Sequence, residues 1–458
     1  MSISPNASDI NRLHNHVAGQ RDRIFADLAA LVSFNSVHAE PGCEADNAAA
    51  AAWVEGALTE LGLTVTTHPT VDGSTAVIGR QEPAEGMPTV LLYSHYDVVP
   101  AGDPARWTAD PFTLTEREGR WYGRGAADCK GNLVMHLAAL RAVEAAGGTG
   151  LGLIVLVEGS EERGGAGLEA LLADDPELFC ADAILIADSG NVAVGVPTLT
   201  TMLRGGAQLT VTVDTLRAPQ HSGLFGGAAP DAVAALVRIL DSLRDEHGRT
   251  VIDGVDCTGT WVGEPYDREE FRRDAGILDG VEIMGTDADA PADMVWARPA
   301  VTVTGFTSTP VAEAVNAVPA TAAAQLNLRV PPGMDAADVA KRLEEHLKTH
   351  APWGAHVTVE TGDVNNPFAT DTSGPALATL RDCLAAAYGT EHTTTVGSGG
   401  SIPLTLALRE QFPDAEIALF GVEEPQTTIH SPDESVSPEE ISRVATAEAA
   451  FLQVWGRG

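Results

Sequence analysis

The sequence predicts an α/β fold, a mostly parallel sheet covered by helices, interrupted by a smaller α+β domain. Three observations predict it. Short apolar runs, TVLLYSHYD, LGLIVLVEG and ADAILIADS, alternate with helical stretches, the rhythm of strands joined by crossover helices. From about Gly206 the pattern changes to alternating strands, AQLTVTV, PAVTVTG and AAAQLNLRV. Past Asn366 the α/β character returns. The larger domain is therefore expected to be discontinuous, residues 1–205 with 367–458, around an insert of 206–366. A chain of 458 residues also exceeds what one core usually organises.

Taken in order, Ile24, Leu28 and Leu31 share one face of a helix expected from about Val17 to Ser33. A second helix is expected near Asn47 to Leu61. After the strand TVLLYSHYD come a helix from Gly131 to Ala146, the strand LGLIVLVEG, a helix from Gly165 to Leu172 and the strand ADAILIADS. The insert carries helices near Pro230 to Asp245 and Ala336 to His350. Its Gly- and Asp-rich stretch from Asp253 to Trp296 is too long for an ordinary connection and reads as an insertion with partial structure. A helix from Gly374 to Tyr388, a strand AEIALFGV and a final helix complete the chain. Ser437, Pro438 and Glu440 open that last helix as a capping box with proline at the first helical position. Its Ile441, Val444, Phe451 and Leu452 are expected to be buried.

The balance of 28 basic against 64 acidic residues, a formal charge of -36, argues against nucleic acid or an anionic membrane as partner and favours cations. Only Lys130, Lys341 and Lys348 are lysines. No apolar run approaches the roughly 20 residues of a membrane span, and the first residues lack a basic stretch followed by an apolar one. Five scattered cysteines without a C-x-x-C pair suit free thiols in a reducing compartment. A soluble, cytoplasmic protein is expected.

Five potential metal ligands occur in order: His95, Asp128, Glu162, Asp188 and His430, with Glu161 directly before the third. Oxygen and imidazole donors without thiolate suit Zn²⁺, Mn²⁺ or Co²⁺, and one shared carboxylate can hold two ions about 3.5 to 4 Å apart. His95, Glu162 and Asp188 follow apolar strands, at whose carboxyl ends open α/β sheets bind ligands. Asp97, two residues from His95 on an extended strand, faces the same way and can accept its second N–H. Taken singly each signal has a plain reading: a surface pair for His95 and Asp97, a helix N-cap for Asp128, an exposed loop for Glu161 and Glu162, a surface residue for His430. Two adjacent glutamates in a crevice repel unless cations or protons divide their roles. Glu162 then ligates metal while Glu161 handles protons as general base.

The segments SHYDVVP, GRGAADCKG, EGSEERGG, LIADSGN, HSGLFGG, NLRVPPG, GSGGSIP and TIHSPDE resemble, in this order and over nearly the whole chain, the zinc peptidase family of aminoacylases, acetylornithine deacetylase, glutamate carboxypeptidases and carnosinase-like dipeptidases. The resemblance implies a catalytic domain with an inserted lid and dimerisation domain, and two divalent ions, zinc first, with manganese or cobalt as alternatives. It implies that His95 and Asp188 complete one metal site, Glu162 and His430 the other, and that Asp128 bridges them. Asp97 then supports His95, and Glu161 is the base and proton shuttle for water attacking an amide carbonyl. His221, in APQHSGLFGG, resembles the histidine that stabilises the oxyanion and that reaches into the partner's site in dimeric relatives, so a homodimer is implied. Arg329 resembles the arginine that grips a substrate carboxylate, with Asn316 assisting. The backbone of Gly399, Gly400 and Ser401 could cradle the same group.

HSGLFGG, the insertion after residue 250 and RPAVTVTG resemble carnosinase-like dipeptidases most, so a small peptide is the expected substrate. Hydrolysis of an N-acyl or N-carbamoyl amino acid is the alternative, and an inactive metal-binding homologue the non-enzymatic one. Two positions depart from the pattern. Gly397 stands where such dipeptidases often have Arg, and Cys129 where Asp or Asn is frequent, at a peptide bond that is cis in the family.

Overall fold

The computed structural model describes residues 5–400 and 402–455. The chain divides into two compact units, Met1–Thr201 with Thr370–Val396 and Ile402–Gly458, and Met202–Ala369 with Gly397–Ser401.

The first unit is built on a large mixed sheet. Its strands run in the order Thr64–Pro69, Thr75–Gln81, Gly152–Glu158, Thr89–His95, Ala183–Ala187, Glu416–Phe420 and Thr198–Leu203. Four central strands, Gly152–Glu158 through Glu416–Phe420, are parallel, while the two before them and Thr198–Leu203 pair antiparallel. The parallel expectation therefore holds for the centre. All of Gly152–Glu158 and Ala183–Ala187 is buried, which explains why these strands read as continuous apolar runs. Helices Lys130–Ala145 and Pro438–Val454 supply much of the main core, where Leu133, Leu137, Ile441, Val444, Phe451 and Leu452 are all buried.

Two local expectations are corrected. The first helical region is two helices, Ala7–Ala18 and Arg21–Val32, rather than one from Val17 to Ser33. Gly19 has poor helix propensity, and Gln20 leaves the helix to donate to the carbonyls of His16 and Ala138. Ile10, Leu13 and Val17 bury one helix, and Ile24, Leu28 and Leu31 the other. The capping box is only half made. Ser437 accepts from the Glu440 N–H, but the Glu440 carboxylate turns inward to Asn191, Tyr388 and the Gly195 N–H, at 2.5, 2.8 and 2.9 Å.

Three short strands also form a small antiparallel sheet, Ser435–Val436 beside Arg120–Tyr122 beside Thr115–Arg117. Runs of two and three residues carry no periodicity to read. They matter because they bring the chain after His430 against the segment before Asp128.

The second unit has a four-stranded antiparallel sheet in the order Ala300–Thr307, Thr321–Val330, Gly205–Asp214, His356–Asn365. Leu209, Val211, Val213, Leu326 and Leu328 face a core closed by helices Ala232–Asp241 and Ala336–Thr349. The Asp253 to Trp296 stretch contains one α-helix, Arg268–Asp274, runs into a π-helical turn at Asp293–Ala297, and holds an aromatic cluster of Trp261, Tyr266, Phe271 and Trp296.

Glu440 is fully buried and satisfies three donors. Glu440→Ala is thus expected to destabilise the protein by about 3 kcal/mol or more, against about 1 kcal/mol for Ser437→Ala. Urea unfolding followed by circular dichroism ranks the two; a larger loss for Ser437→Ala would restore the ordinary capping box.

Candidate metal centre

Adjacent parallel strands put His95, the turn at Glu161 and Glu162, and Asp188 on one rim of the sheet, because each follows the carboxyl end of its strand. Glu161–Arg163 forms a single 3-10 turn. Asp97 fixes it: its two carboxylate oxygens accept the N–H groups of Glu161 and Glu162, both at 3.1 Å. The same carboxylate lies 3.2 Å from His95 Nδ1, which is also 3.1 Å from the Asp97 carbonyl. Asp97 thus orients the imidazole and the two glutamates together.

Asp128 is held by a residue that sequence reasoning missed. Glu434, fully buried, accepts the N–H groups of Gly125, Ala127 and Asp128 at 3.0, 3.0 and 3.1 Å, and pairs with Arg124 at 2.5 Å. Gly125 has φ +80, and a Cβ on Gly131 would lie 2.3 Å from the Ala126 carbonyl oxygen, so the loop closes only with glycine there. The helix N-cap is Cys129 without a side-chain cap, which leaves the Asp128 carboxylate free for the site. The Asp128–Cys129 peptide is cis, and the Cys129 thiol donates to the Ala187 carbonyl at 3.0 Å.

The side chains converge. His95 Nε2 lies 3.2 Å from Asp128 Oδ1 and 3.3 Å from Asp188 Oδ1. His430 Nε2 lies 3.1 Å from both Asp128 Oδ2 and Glu162 Oε2. Asp128 therefore offers one oxygen to each imidazole. Glu161 stands further off, its Oε2 3.8 Å from His95 Nε2.

Burial pushes Glu161 and Asp188 up from the ordinary carboxylate range, with like charge from Asp188 adding to the shift at Glu161 and the His95 bond opposing it at Asp188. Burial also raises Glu162, against its bond with His430. At Asp128 burial acts upward too, but the bonds from His430 and His95 win and hold it low. His430 is pushed up to about 10 by its bonds to Asp128 and Glu162.

Two further carboxylates belong to this neighbourhood. Glu423 brings an oxygen within 4.8 Å of ligand atoms of Asp128 and Asp188 and accepts from Asn132 at 3.0 Å. Glu158 accepts from the Tyr93 hydroxyl at 2.5 Å and is pushed up to about 8, chiefly by burial. Glu423 had a legible signal, since GVEEP repeats the pattern of an apolar strand followed by paired acids.

The donor set fits a pair of divalent ions. Glu162 Oε1 is buried without a hydrogen-bond partner among the described residues, a costly state for an atom meant only to pack. The spacings of 3.1 to 3.3 Å between paired donors match the roughly 3.3 Å that separates tetrahedral ligands bound at about 2.0 to 2.1 Å.

The remaining candidates lie in the second unit. His221 pairs with Ala317 in a two-residue ladder, and its Nδ1 accepts the Gly223 N–H at 3.1 Å. The Asn316 carbonyl accepts the N–H of Ser222, so Asn316 and His221 sit in neighbouring segments. Arg329 is part-buried, its Nε donating to Asn327 at 3.0 Å. Gly399 and Gly400 follow the strand Thr394–Ser398, and Ser401 lies outside the described residues. A Cβ on Gly397 would come within 2.8 Å of Met202 and Trp296, so the arginine of related dipeptidases has no room there.

The sequence matches the profile of peptidase family M20/M25/M40 over residues 91–454. It is 60% identical to a cysteinylglycine-S-conjugate dipeptidase of Corynebacterium striatum, across 95% of this chain and 96% of the relative. A Cys-Gly metallodipeptidase of Schizosaccharomyces pombe is 28% identical, across 74% of this chain and 75% of its own. Among solved structures, human carnosine dipeptidase 1 shares the fold with a TM-score of 0.80 and 22% identity, over 99% of this chain and 100% of that one. By the extent of that match and the identity to the bacterial relative, the chain belongs to peptidase family M20/M25/M40.

Proposed function

We propose that this chain is a metal-dependent dipeptidase acting on Cys-Gly dipeptides, including those substituted on sulfur, with Glu161 as general base. The observation that carries the reading is the paired donor set, in which Asp128 turns one oxygen to His95 and the other to His430. His95 and Asp188 would hold one divalent ion and Glu162 and His430 a second, with Asp128 shared. When bound, such ions supply Lewis acidity, making water a nucleophile near neutral pH and polarising the scissile carbonyl.

The chain's own groups do the rest. Glu161 stands apart from the paired donors, and burial gives its carboxyl a raised affinity for protons. It takes a proton from the attacking water and returns it to the leaving amine. Asp97 keeps Glu161 and His95 in register through the backbone of the turn. In the second unit we assign Arg329 to the substrate carboxylate, with Asn316 and the backbone N–H of Gly399, the Gly400 N–H being taken by the Ser398 hydroxyl at 3.2 Å, and His221 to the developing oxyanion. The bond from Gly223 to His221 Nδ1 leaves the proton on Nε2, the tautomer a donor needs.

The Cys-Gly class rests on the identity to the bacterial relative. The proposal includes zinc, with manganese or cobalt as substitutes, a homodimer and a cytoplasmic location. Among the described residues no helix is long and apolar enough to cross a membrane and every cysteine is free.

Three outcomes are expected. Glu161→Gln lowers kcat about 10²- to 10⁴-fold with metal content unchanged by elemental analysis; wild-type turnover would falsify the assigned base. A free α-amine is needed on the substrate, so a panel pairing each dipeptide with its N-acetylated form separates dipeptidase from deacylase, and equal rates favour the latter. Removing metal makes stability fall with rising pH. Glu161, Glu162, Asp188 and His430 all have raised values in the fold, so the native state holds more protons than the unfolded one above about pH 5. That contribution is full below the unfolded values and lost as each folded value is passed. Melting of the chelator-treated protein between about pH 6 and about pH 9 tests it, and a metal-free melting temperature that rises over this range contradicts it.

A further inference from the structure

In a chain with 64 acidic residues against 28 basic ones, a buried arginine without an acid is unexpected. Arg204 is one. It lies between the strands Thr198–Leu203 and Gly205–Asp214 and is 9% exposed. Its Nε and Nη1 are buried with no hydrogen-bond partner, and among the described residues it enters no ion pair. Elsewhere in the same unit Arg249 and Arg298 each reach Asp289 at 2.7 Å, and Arg244 and Arg268, which have no acid, are satisfied by neutral oxygens of Thr250, Val301, Thr286 and Asp289; Arg204 has neither. Leaving a charged group unpaired in a buried place is among the more costly states a fold can hold.

Its surroundings collect further positive character. Arg329 stands opposite Gly206 in the neighbouring strand, two residues on from Arg204, and among the described residues its side chain bonds only the neutral Asn327. Burial, with Arg329 adding like charge, pushes Arg204 down to about 10, so it remains a cation at neutral pH. The Arg204 N–H donates to the Ser398 carbonyl at 3.1 Å. A Cβ on Gly399 would lie 3.4 Å from Arg204 Nη2, so the guanidinium lies along the bare backbone of the glycine loop. Two guanidinium groups beside the backbone of Gly399, with no acid among these described residues, describe a receptor for an anion.

We propose that Arg204 is a substrate-binding residue that, with Arg329, receives the C-terminal carboxylate of the dipeptide. This rests on the dipeptidase reading and adds a residue that neither a motif nor spacing marks. It gives the requirement for a free carboxylate a second guanidinium, so the discrimination against blocked C-termini is larger than one arginine supplies.

Binding measured without turnover tests it. In Glu161→Gln enzyme loaded with zinc, titration calorimetry compares a Cys-Gly dipeptide with its C-terminal amide. The free acid is expected to bind more tightly. Adding Arg204→Met should reduce that preference about 10- to 100-fold, and Arg204→Lys should reduce it less, since the charge stays while the planar fork is lost. If circular dichroism shows the Met variant unfolded, the Lys variant alone decides. An unchanged preference in the folded variant, or equal binding of acid and amide before mutation, overturns the proposal. Failure of the dipeptidase reading would appear separately, as wild-type enzyme that binds the dipeptide but does not cleave it.

Discussion

Like-charge repulsion among buried carboxylates is the constraint around which the first unit is arranged. Asp128, Glu161, Glu162, Asp188 and Glu423 gather at the ends of apolar strands, where each charge costs several kcal/mol unless compensated. Two more carboxylates, Asp97 and Glu434, hold them in place by accepting backbone N–H groups of the segments that carry them. Position is thus enforced by main-chain bonds, while the charges that face one another suit a cation. Such a centre suits divalent ions, because main-chain bonds fix the segments that carry its ligands and a cation relieves their mutual repulsion.

Much of this was legible in the sequence because the chemistry sits at strand ends. His95, Glu162 and Asp188 each follow a run of apolar residues that can only be a buried strand, and topology then brings those ends together. Asp128 and His430 were readable only through the resemblance, since glycine-rich turns look alike whatever they hold. Glu434 escaped notice because its partners are backbone groups over 300 residues away, a relation no local pattern records. Glu440 misled for the opposite reason. Its spacing from Ser437 fits a local rule, but tertiary contacts with Asn191 and Tyr388 outweighed it. The break at Gly19 is a similar case, where one weak helix former and one side chain seeking distant carbonyls divide a continuous apolar stripe.

The second unit shows a different economy of charge. Its sheet is half-exposed and alternates inward and outward residues, so its fold is secured by an ordinary apolar core. Asp289 serves two of its arginines. Against that background the unpaired Arg204 and the neutral contact of Arg329 stand out, and they do so only in three dimensions, for neither residue type nor spacing separates them from other arginines.

The strand Glu416–Phe420 lies between Ala183–Ala187 and Thr198–Leu203 in the sheet. On the ribosome this has a temporal meaning. At roughly 5 to 20 residues per second, the nascent chain waits tens of seconds between making the Ala183–Ala187 strand and making the one that covers its flank. During that interval an apolar edge is open and the Asp128 loop lacks Glu434. The sheet closes and the metal ligands come into register only once Glu416–Phe420 and Glu434 have been made, so until then the flank of Ala183–Ala187 is open to mispairing.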